Sequence, residues 1–188
     1  MKEFRLQKTV YTLLGLLCCV VGFAQSNYYK GYVIQLNGDT IKGEVRINPK
    51  KQLEQYQKVA FKDEKGLPKN YKPEKIKGYG YDNFSFISTE HEGEKVFIKL
   101  LSSGAINLFD VQFEVLIMND IKTKTDYLMM KNGNDSFVRI KSGKMKKQLS
   151  DVMSDDAELV KQIEANKNLE LENMVEVFNK YNVWASAR

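Results

Sequence analysis

Cysteine is almost missing from this chain. Cys18 and Cys19 are the only two in 188 residues, and both lie near the N-terminus. Histidine is scarcer still, with His91 alone. One histidine cannot build the clustered His/Cys sets that hold zinc at the usual spacings, so no metal is expected. His91 sits in STEHEGEK between Glu90 and Glu92, the composition of a solvated loop. Ser88, Ser102 and Ser103 could complete a Ser–His–Asp arrangement only by meeting it, and no nucleophile elbow supports that. Long apolar runs are also scarce. The one clear example is TVYTLLGLLCCVVGF, fifteen residues without a charge.

That run follows the basic start MKEFRLQK and ends at Gly22 and Ala24, small residues at −3 and −1 of a cut before Gln25. The pattern is that of a secretory signal peptide over residues 1–24. A membrane span needs about 20 apolar residues, which makes an uncleaved anchor the weaker reading. A lipoprotein would need a small residue just before the cysteine, where Leu17 or Cys18 stands. Removing 24 of the 188 residues leaves 164, enough for one domain with its own core. The mature chain then has no thiol, so no disulfide and no cysteine nucleophile. Losing Lys2, Arg5, Lys8 and Glu3 takes the net charge from +5 to +3. Export and this mild charge argue against nucleic acid and leave an anionic envelope surface as the more plausible polyanion.

Residues 28–141 are rich in aromatic and β-branched residues with Gly and Asn-Gly punctuation, the signature of strands. Expected strands are Tyr32–Leu36, Thr40–Ile47, Lys58–Lys62, Ile76–Tyr81, Phe84–Thr89, Lys95–Leu101, Ala105–Ile117, Tyr127–Lys131 and Ser136–Ile140. From Phe109 the odd positions are apolar to Ile117, while Asp110, Gln112 and Glu114 face the other way, as in a half-buried strand. The Lys/Gln-rich stretch before Lys58 and the segment GLPKNYKPEK, with two of the three prolines, read as loops. After Gly143 neither Gly nor Pro recurs, and three helices are expected. They are Lys144–Met153, Ala157–Ala165 behind an Asp155/Glu158 capping box, and a third capped by Asn168 with the stripe Leu171, Met174, Val175, Phe178, Tyr181 and Trp184. The fold class is therefore α+β. About nine short strands form an antiparallel meander curled into a half-barrel or sandwich, covered by about three C-terminal helices. The division is a β domain over 25–141 and a helical segment over 142–188, packed as one unit.

The densest turn signal is GYVIQLNGDTIKGEVRI. Its NGDTIKG is not a phosphate loop, because a strand rather than a helix follows and the Walker spacing fails. It reads as a type I′ hairpin at Asn37-Gly38, with Asp39 catalytic only if a second carboxylate converges on it. Gly43 inside the second strand marks a bulge or a close backbone approach. In GYGYDNFSF, Tyr79 and Tyr81 share a strand face while Gly78 and Gly80 leave the other bare. Exposed tyrosines stack sugars; buried ones are ordinary packing, and a partner side chain over the glycines would favour packing. The weak ligand-binding candidates are Tyr79, Tyr81, Asp39 and Asp110, and no catalytic residue or cofactor is expected.

Residues 42–77 hold eleven Lys/Arg against five acids, 139–147 add five bases, and 151–188 carry eight acids against four bases. Spaced as they are, the lysines fit solvated loops and guarded strand edges better than a docking face. A transmembrane barrel is disfavoured, since its strands need about ten residues with a lipid-facing row.

With GYVIQLNGDTIKGEV, YKPEKIKGYGY, VFIKLLSSGAINLF and DAELVKQI…VFNKYN, the chain resembles a group of exported proteins of unknown function from Bacteroidota-type Gram-negative bacteria. The resemblance rests on turns and strand edges across most of the mature chain. It implies a periplasmic or outer-envelope location and a strand-rich domain, with no activity or catalytic residue to carry over. The leading expectation is a non-enzymatic binding or assembly module for an envelope protein or surface, not membrane-spanning once the signal is cut. Two rivals remain. One is a carboxylate-based glycan hydrolase using Asp39, Asp82, Asp110 or Glu114. The other is a lipid or ligand carrier with a cavity inside the curled sheet.

Overall fold

Alternating apolar residues between tight turns build one large sheet. The computed structural model describes residues 27–134, 136–170 and 173–188. The expected signal peptide, its cut site, both cysteines and Leu171 lie outside the described residues. Strands β1 (Tyr28–Gln35), β2 (Thr40–Arg46), β3 (Val59–Asp63), β4 (Pro68–Tyr71) and β5 (Ile76–Tyr81) occupy the first half. Strands β6 (Phe84–His91), β7 (Glu94–Ser102), β8 (Ile106–Ile117), β9 (Asp120–Lys131) and β10 (Val138–Ile140) follow. Helix α1 (Glu54–Gln57) interrupts the strands, and α2 (Met145–Val152), α3 (Ala157–Ala165) and α4 (Met174–Ser186) close the chain.

The sheet order is β10-β9-β8-β7-β6-β5-β1-β2-β3-β4, antiparallel throughout. Two meanders are joined where β5 returns to lie along β1. The curled sheet stays open, with β4 and β10 as its edges. The α+β class, the antiparallel meander, the curl and the C-terminal helices are as the sequence leads one to expect. Among the described residues no helix is long and apolar enough to cross a membrane.

One core cluster joins Val33, Val45, Phe61, Tyr79, Phe86 and Phe97 with Tyr56 of α1, whose ring meets Phe86 edge-on. The alternate residues Ile98, Phe109, Val111 and Leu128 belong to the same cluster, and Phe137 packs on Phe109. The second cluster lies between Ile106, Leu108 and Met129 of the sheet and Leu149, Ile163, Phe178 and Tyr181 of the helices. Fully burying one such side chain is worth roughly 1.5–3 kcal/mol, so the helices are held mainly by this layer. The strand Phe109–Ile117 alternates as its pattern says but is not simply half-buried. Its start is covered on both faces, with Asp110 and Val111 both buried, while Leu116 and Ile117 at its end are exposed.

Several local expectations need correction. Residues Glu54–Gln57 form a helical turn rather than a loop, because Tyr56 is drawn into the core. Pro68–Tyr71 is a tenth strand despite its proline. Proline is tolerated as the first residue of an edge strand, where a missing N–H costs little. Strand β9 starts at Asp120, seven residues before the expected Tyr127, because β8 and β9 pair through the turn at Met118-Asn119. β10 begins at Val138 rather than Ser136. The β1–β2 reversal is not type I′, since Gly38 alone takes a left-handed φ of 98° and Asn37 does not. Instead Gly38 N–H donates to the Gln35 carbonyl at 2.9 Å and Gln35 N–H to the Asp39 carbonyl at 2.8 Å. Asp156, not Asp155, caps α3, accepting from Leu159 N–H at 3.1 Å. Asp155 is used elsewhere, accepting the Tyr181 hydroxyl at 2.9 Å. Helix α4 starts at Met174, and Asn168 does not cap it.

Gly43 resolves as the close-approach alternative. It pairs in register with Gly31 and Asp63, and a Cβ there would stand 2.2 Å from the Lys62 carbonyl oxygen. Gly80 is not bare either, since the Tyr32 ring covers it.

Candidate functional site

The segment joining β2 to α1 crosses the sheet beside the GYGYDNFSF hairpin and leaves a groove of about 340 Å³. Its walls come from three sequence regions: Tyr29 on β1, the Ile47–Tyr56 crossing, and Tyr81, Asp82, Phe84 and Phe86 on β5–β6. Lys99 and Gln112 complete it from β7 and β8. Strand alternation puts Tyr79 and Tyr81 on one face, and register sets Phe86 opposite Tyr79 and Phe84 opposite Tyr81. Tyr79 stacks on Phe86 with parallel rings 4.6 Å apart. Tyr29, Tyr81 and Phe84 form a tilted row, with centroids 5.7 Å and 5.3 Å apart. Offset and tilted arrangements of this kind suit the quadrupole of aromatic rings.

The four residues singled out from sequence divide. Tyr79 is buried packing, its hydroxyl donating to the Gln55 carbonyl at 2.7 Å. Tyr81 is largely buried too, but it lines the groove and bonds the Gln55 side chain. Asp110 lies directly behind the groove and accepts the Tyr56 hydroxyl at 2.8 Å. Burial raises its carboxyl above the usual aspartate range, opposed by the Tyr56 and Gln112 hydrogen bonds and by the charge of Lys99. Asp39 is far from this group in the β1–β2 turn, where Asn37 Nδ2 donates to its carboxylate at 2.6 Å. Of the other acids considered, Asp82 sits on the groove rim and Glu114 is exposed on β8.

His91 is not a solvated loop residue. Its side chain is 10% exposed, and its Nε2 lies 3.0 Å from Asp126 Oδ2. Arg139 donates to the other Asp126 oxygen at 2.8 Å and to Glu92 Oε1 at 2.9 Å. β6 and β9 are not neighbours in the sheet, so the cluster ties the β6–β7 turn across the curl to β9 and β10. One ligand atom each from His91, Glu92 and Asp126 falls within 4.8 Å of the others. The Arg139 guanidinium already bridges both carboxylates and supplies the counter-charge a cation would bring. The geometry reads as a brace. Sequence reasoning missed Gln55, Tyr56, Lys99, Asp126 and Arg139. No local pattern flags them, because each acts across strands far apart in the chain.

Burial also raises the phenols of Tyr56 and Tyr79 well above the ordinary tyrosine range. Tyr81 is pushed up to about 12 by burial and the neighbouring Asp82. Tyr181 reaches about 12 through burial and its Asp155 bond. An unfolded tyrosine titrates near about 10. Between those values the unfolded chain has released protons that the folded chain keeps, so stability is full below about pH 10 and falls as pH rises toward 12. A urea titration series should show a flat midpoint up to about pH 10, then a steep decline with cooperative tyrosinate absorbance. A gradual tyrosinate rise with unchanged urea midpoint would contradict this burial.

No protein-family model, no curated protein and no solved structure matches the chain.

Proposed function

We propose that this is an exported, non-enzymatic binding module of the cell envelope, and that the groove receives a saccharide segment. The carrying observation is the row Tyr29–Tyr81–Phe84, whose outer rings Tyr29 and Phe84 are 37% and 41% exposed beside a ready-made hollow. A ring face offers an apolar platform to the C–H face of a sugar. Gln52, Gln55, Gln112, Asp82 and Lys99 around it supply donors and acceptors for hydroxyls. The volume of about 340 Å³ is at the lower end of ligand pockets, enough for one or two sugar rings.

The hydrolase reading has less support. A glycosidase needs two carboxylates facing across the cleft, about 5–10 Å apart. Asp82 lines the groove, whereas Asp110 stands behind Tyr56, Lys99 and Gln112 with its oxygens engaged. The carrier reading wants an apolar cavity. A larger hollow of about 670 Å³ exists over β1–β3, but it is an open trough on the sheet surface rather than an enclosed cavity, with Lys30, Lys42, Glu44, Lys62 and Glu64 at its walls.

The test is calorimetric titration of the mature protein with soluble peptidoglycan fragments and envelope oligosaccharides. Phe84→Ala should weaken binding about tenfold, the worth of one aromatic contact of roughly 1.5 kcal/mol. Phe84 is 41% exposed but packs on Tyr81 and lies under the Lys99 ammonium, so its loss should cost about 1 kcal/mol of stability, and a thermal melt confirms that the variant is folded. Absence of saccharide binding, or binding unaffected by Phe84→Ala, would sink the groove reading. New reducing ends in the mixture would instead favour the hydrolase.

A further inference from the structure

Beyond Asp110 the ladder of β8 continues with β9 alone among the described residues, and the two strands run on as a narrow ribbon to the turn at Met118-Asn119. Both turn residues take left-handed φ, 49° and 67°, so the reversal is tight. The end of this ribbon is exposed and carries four apolar side chains beside Asn119 and Asp120. Met118 is 98% exposed, and Leu116, Ile117 and Ile121 are each at least 45% exposed. Leu116 faces Ile121 on one side of the ladder, Ile117 lies opposite Asp120 on the other, and Met118 stands at the turn between them, so the apolar residues meet at the tip. Scattered exposed apolar residues are ordinary; four together on a protruding tip are not.

We propose that this ribbon docks the protein on a lipid surface by inserting its tip into the bilayer interface. Size points to lipid over protein. A stable protein contact takes about 800 Å² per partner, more than the end of two strands about 5 Å apart can offer. A bilayer interface accepts a small apolar knob to a depth of about 5–10 Å and needs no matching pocket. The apolar stretch Val115–Ile117 with its turn extends roughly 10–14 Å at about 3.4 Å per residue, the same scale. The inner ladder keeps the ribbon's facing backbone groups paired, while its outer edges remain open. Open edges forbid deep burial in hydrocarbon and restrict the tip to the interface. Charge is balanced, with Lys122 and Lys124 against Asp120 and Glu114, so the drive is apolar. The base is rigid: the His91–Asp126–Arg139 brace holds it, and the His91 ring packs on Phe113 at 5.7 Å.

The experiment is co-sedimentation of the mature protein with phosphatidylethanolamine–phosphatidylglycerol vesicles. The triple variant Leu116→Asp, Met118→Asp, Ile121→Asp is run beside it, with circular dichroism and a thermal melt to confirm folding. Wild type should pellet with vesicles, and the triple variant should lose partitioning on the order of 100-fold. Separately, Met118→Trp should show a blue shift of emission on vesicle addition, against the constant background of Trp184. Wild type left in the supernatant overturns the proposal, as does a triple variant that pellets equally. Tip-dependent self-association without vesicle binding, seen by sedimentation velocity, also overturns it and assigns the knob to a second copy.

Discussion

Gly31→Val is expected to leave no folded protein. Gly31 sits mid-strand in β1, opposite Gly43 on β2 and Tyr81 on β5. A Cβ there would lie 2.3 Å from the Gly80 carbonyl oxygen, 2.9 Å from Val45 Cγ2 and 3.2 Å from Tyr81 Cβ. The closest of these is backbone, which cannot yield without breaking the β1–β5 junction that joins the two meanders. Even Gly31→Ala should cost more than about 3 kcal/mol, above the usual range for a point change. Gly93→Ala is the contrast. That glycine has a left-handed φ of 86° but open space around it, so only the dihedral is penalised, by about 1 kcal/mol. Urea midpoints of the three variants would check this. A folded Gly31→Val protein of near wild-type stability would mean the junction is looser than described.

The second large effect is expected at Asn182. This helical residue is buried and docks α4 on the β7–β8 turn as a strand would. Its Oδ1 accepts from Ile106 N–H at 3.0 Å, and its Nδ2 donates to the Ile106 carbonyl at 2.9 Å and to Ser102 Oγ at 3.1 Å. Asn182→Leu keeps the branched shape but leaves the Ile106 N–H and carbonyl without this partner, while Ser102 keeps its hydrogen bond to Asn179 at 2.7 Å. Each orphaned buried group costs about 1–3 kcal/mol, so a total loss of roughly 2–5 kcal/mol is expected. Val183→Ala, one position on and exposed, should change stability by less than about 0.5 kcal/mol. Equal urea midpoints for Asn182→Leu and wild type would show that the layer of apolar contacts alone holds the helix.

The legible parts of the fold were those coded within one element. Period-2 alternation at Phe109–Ile117 and the stripe at Met145, Leu149 and Met153 gave the right elements with nearly the right ends. Misreadings arose where a distant partner decides. Two adjacent acids, Asp155 and Asp156, are equivalent caps in sequence, and Tyr181, 26 positions from Asp155, claims one of them. His91 sits among charged neighbours, and only the curl of the sheet delivers Asp126 to it from 35 positions away. The polar alternation DIKTKTD hid the first half of β9, because its ladder to β8 extends past most of the core. At the groove, the aromatic run was visible and Asp110 was suspected. The crossing segment that brings Gln55 and Tyr56 over them carries no motif.

The groove and the ribbon make compatible demands on one scaffold. Tyr29, Tyr81 and Phe84 are held by the glycine-lined β1–β5 junction, while the ribbon extends from the β8–β9 side. Gln112, at the base of the ribbon, also lines the groove, so the two features meet on β8.

The most direct measurement is an amide NMR titration of the mature protein with a soluble peptidoglycan fragment. Saccharide binding at the groove should shift the amides of Tyr29, Gln52, Asp82, Phe84 and Gln112 in a saturable way, with the fragment recovered intact. Unshifted groove amides at saturating fragment, or a fragment returned cleaved, would contradict a non-enzymatic saccharide-binding module.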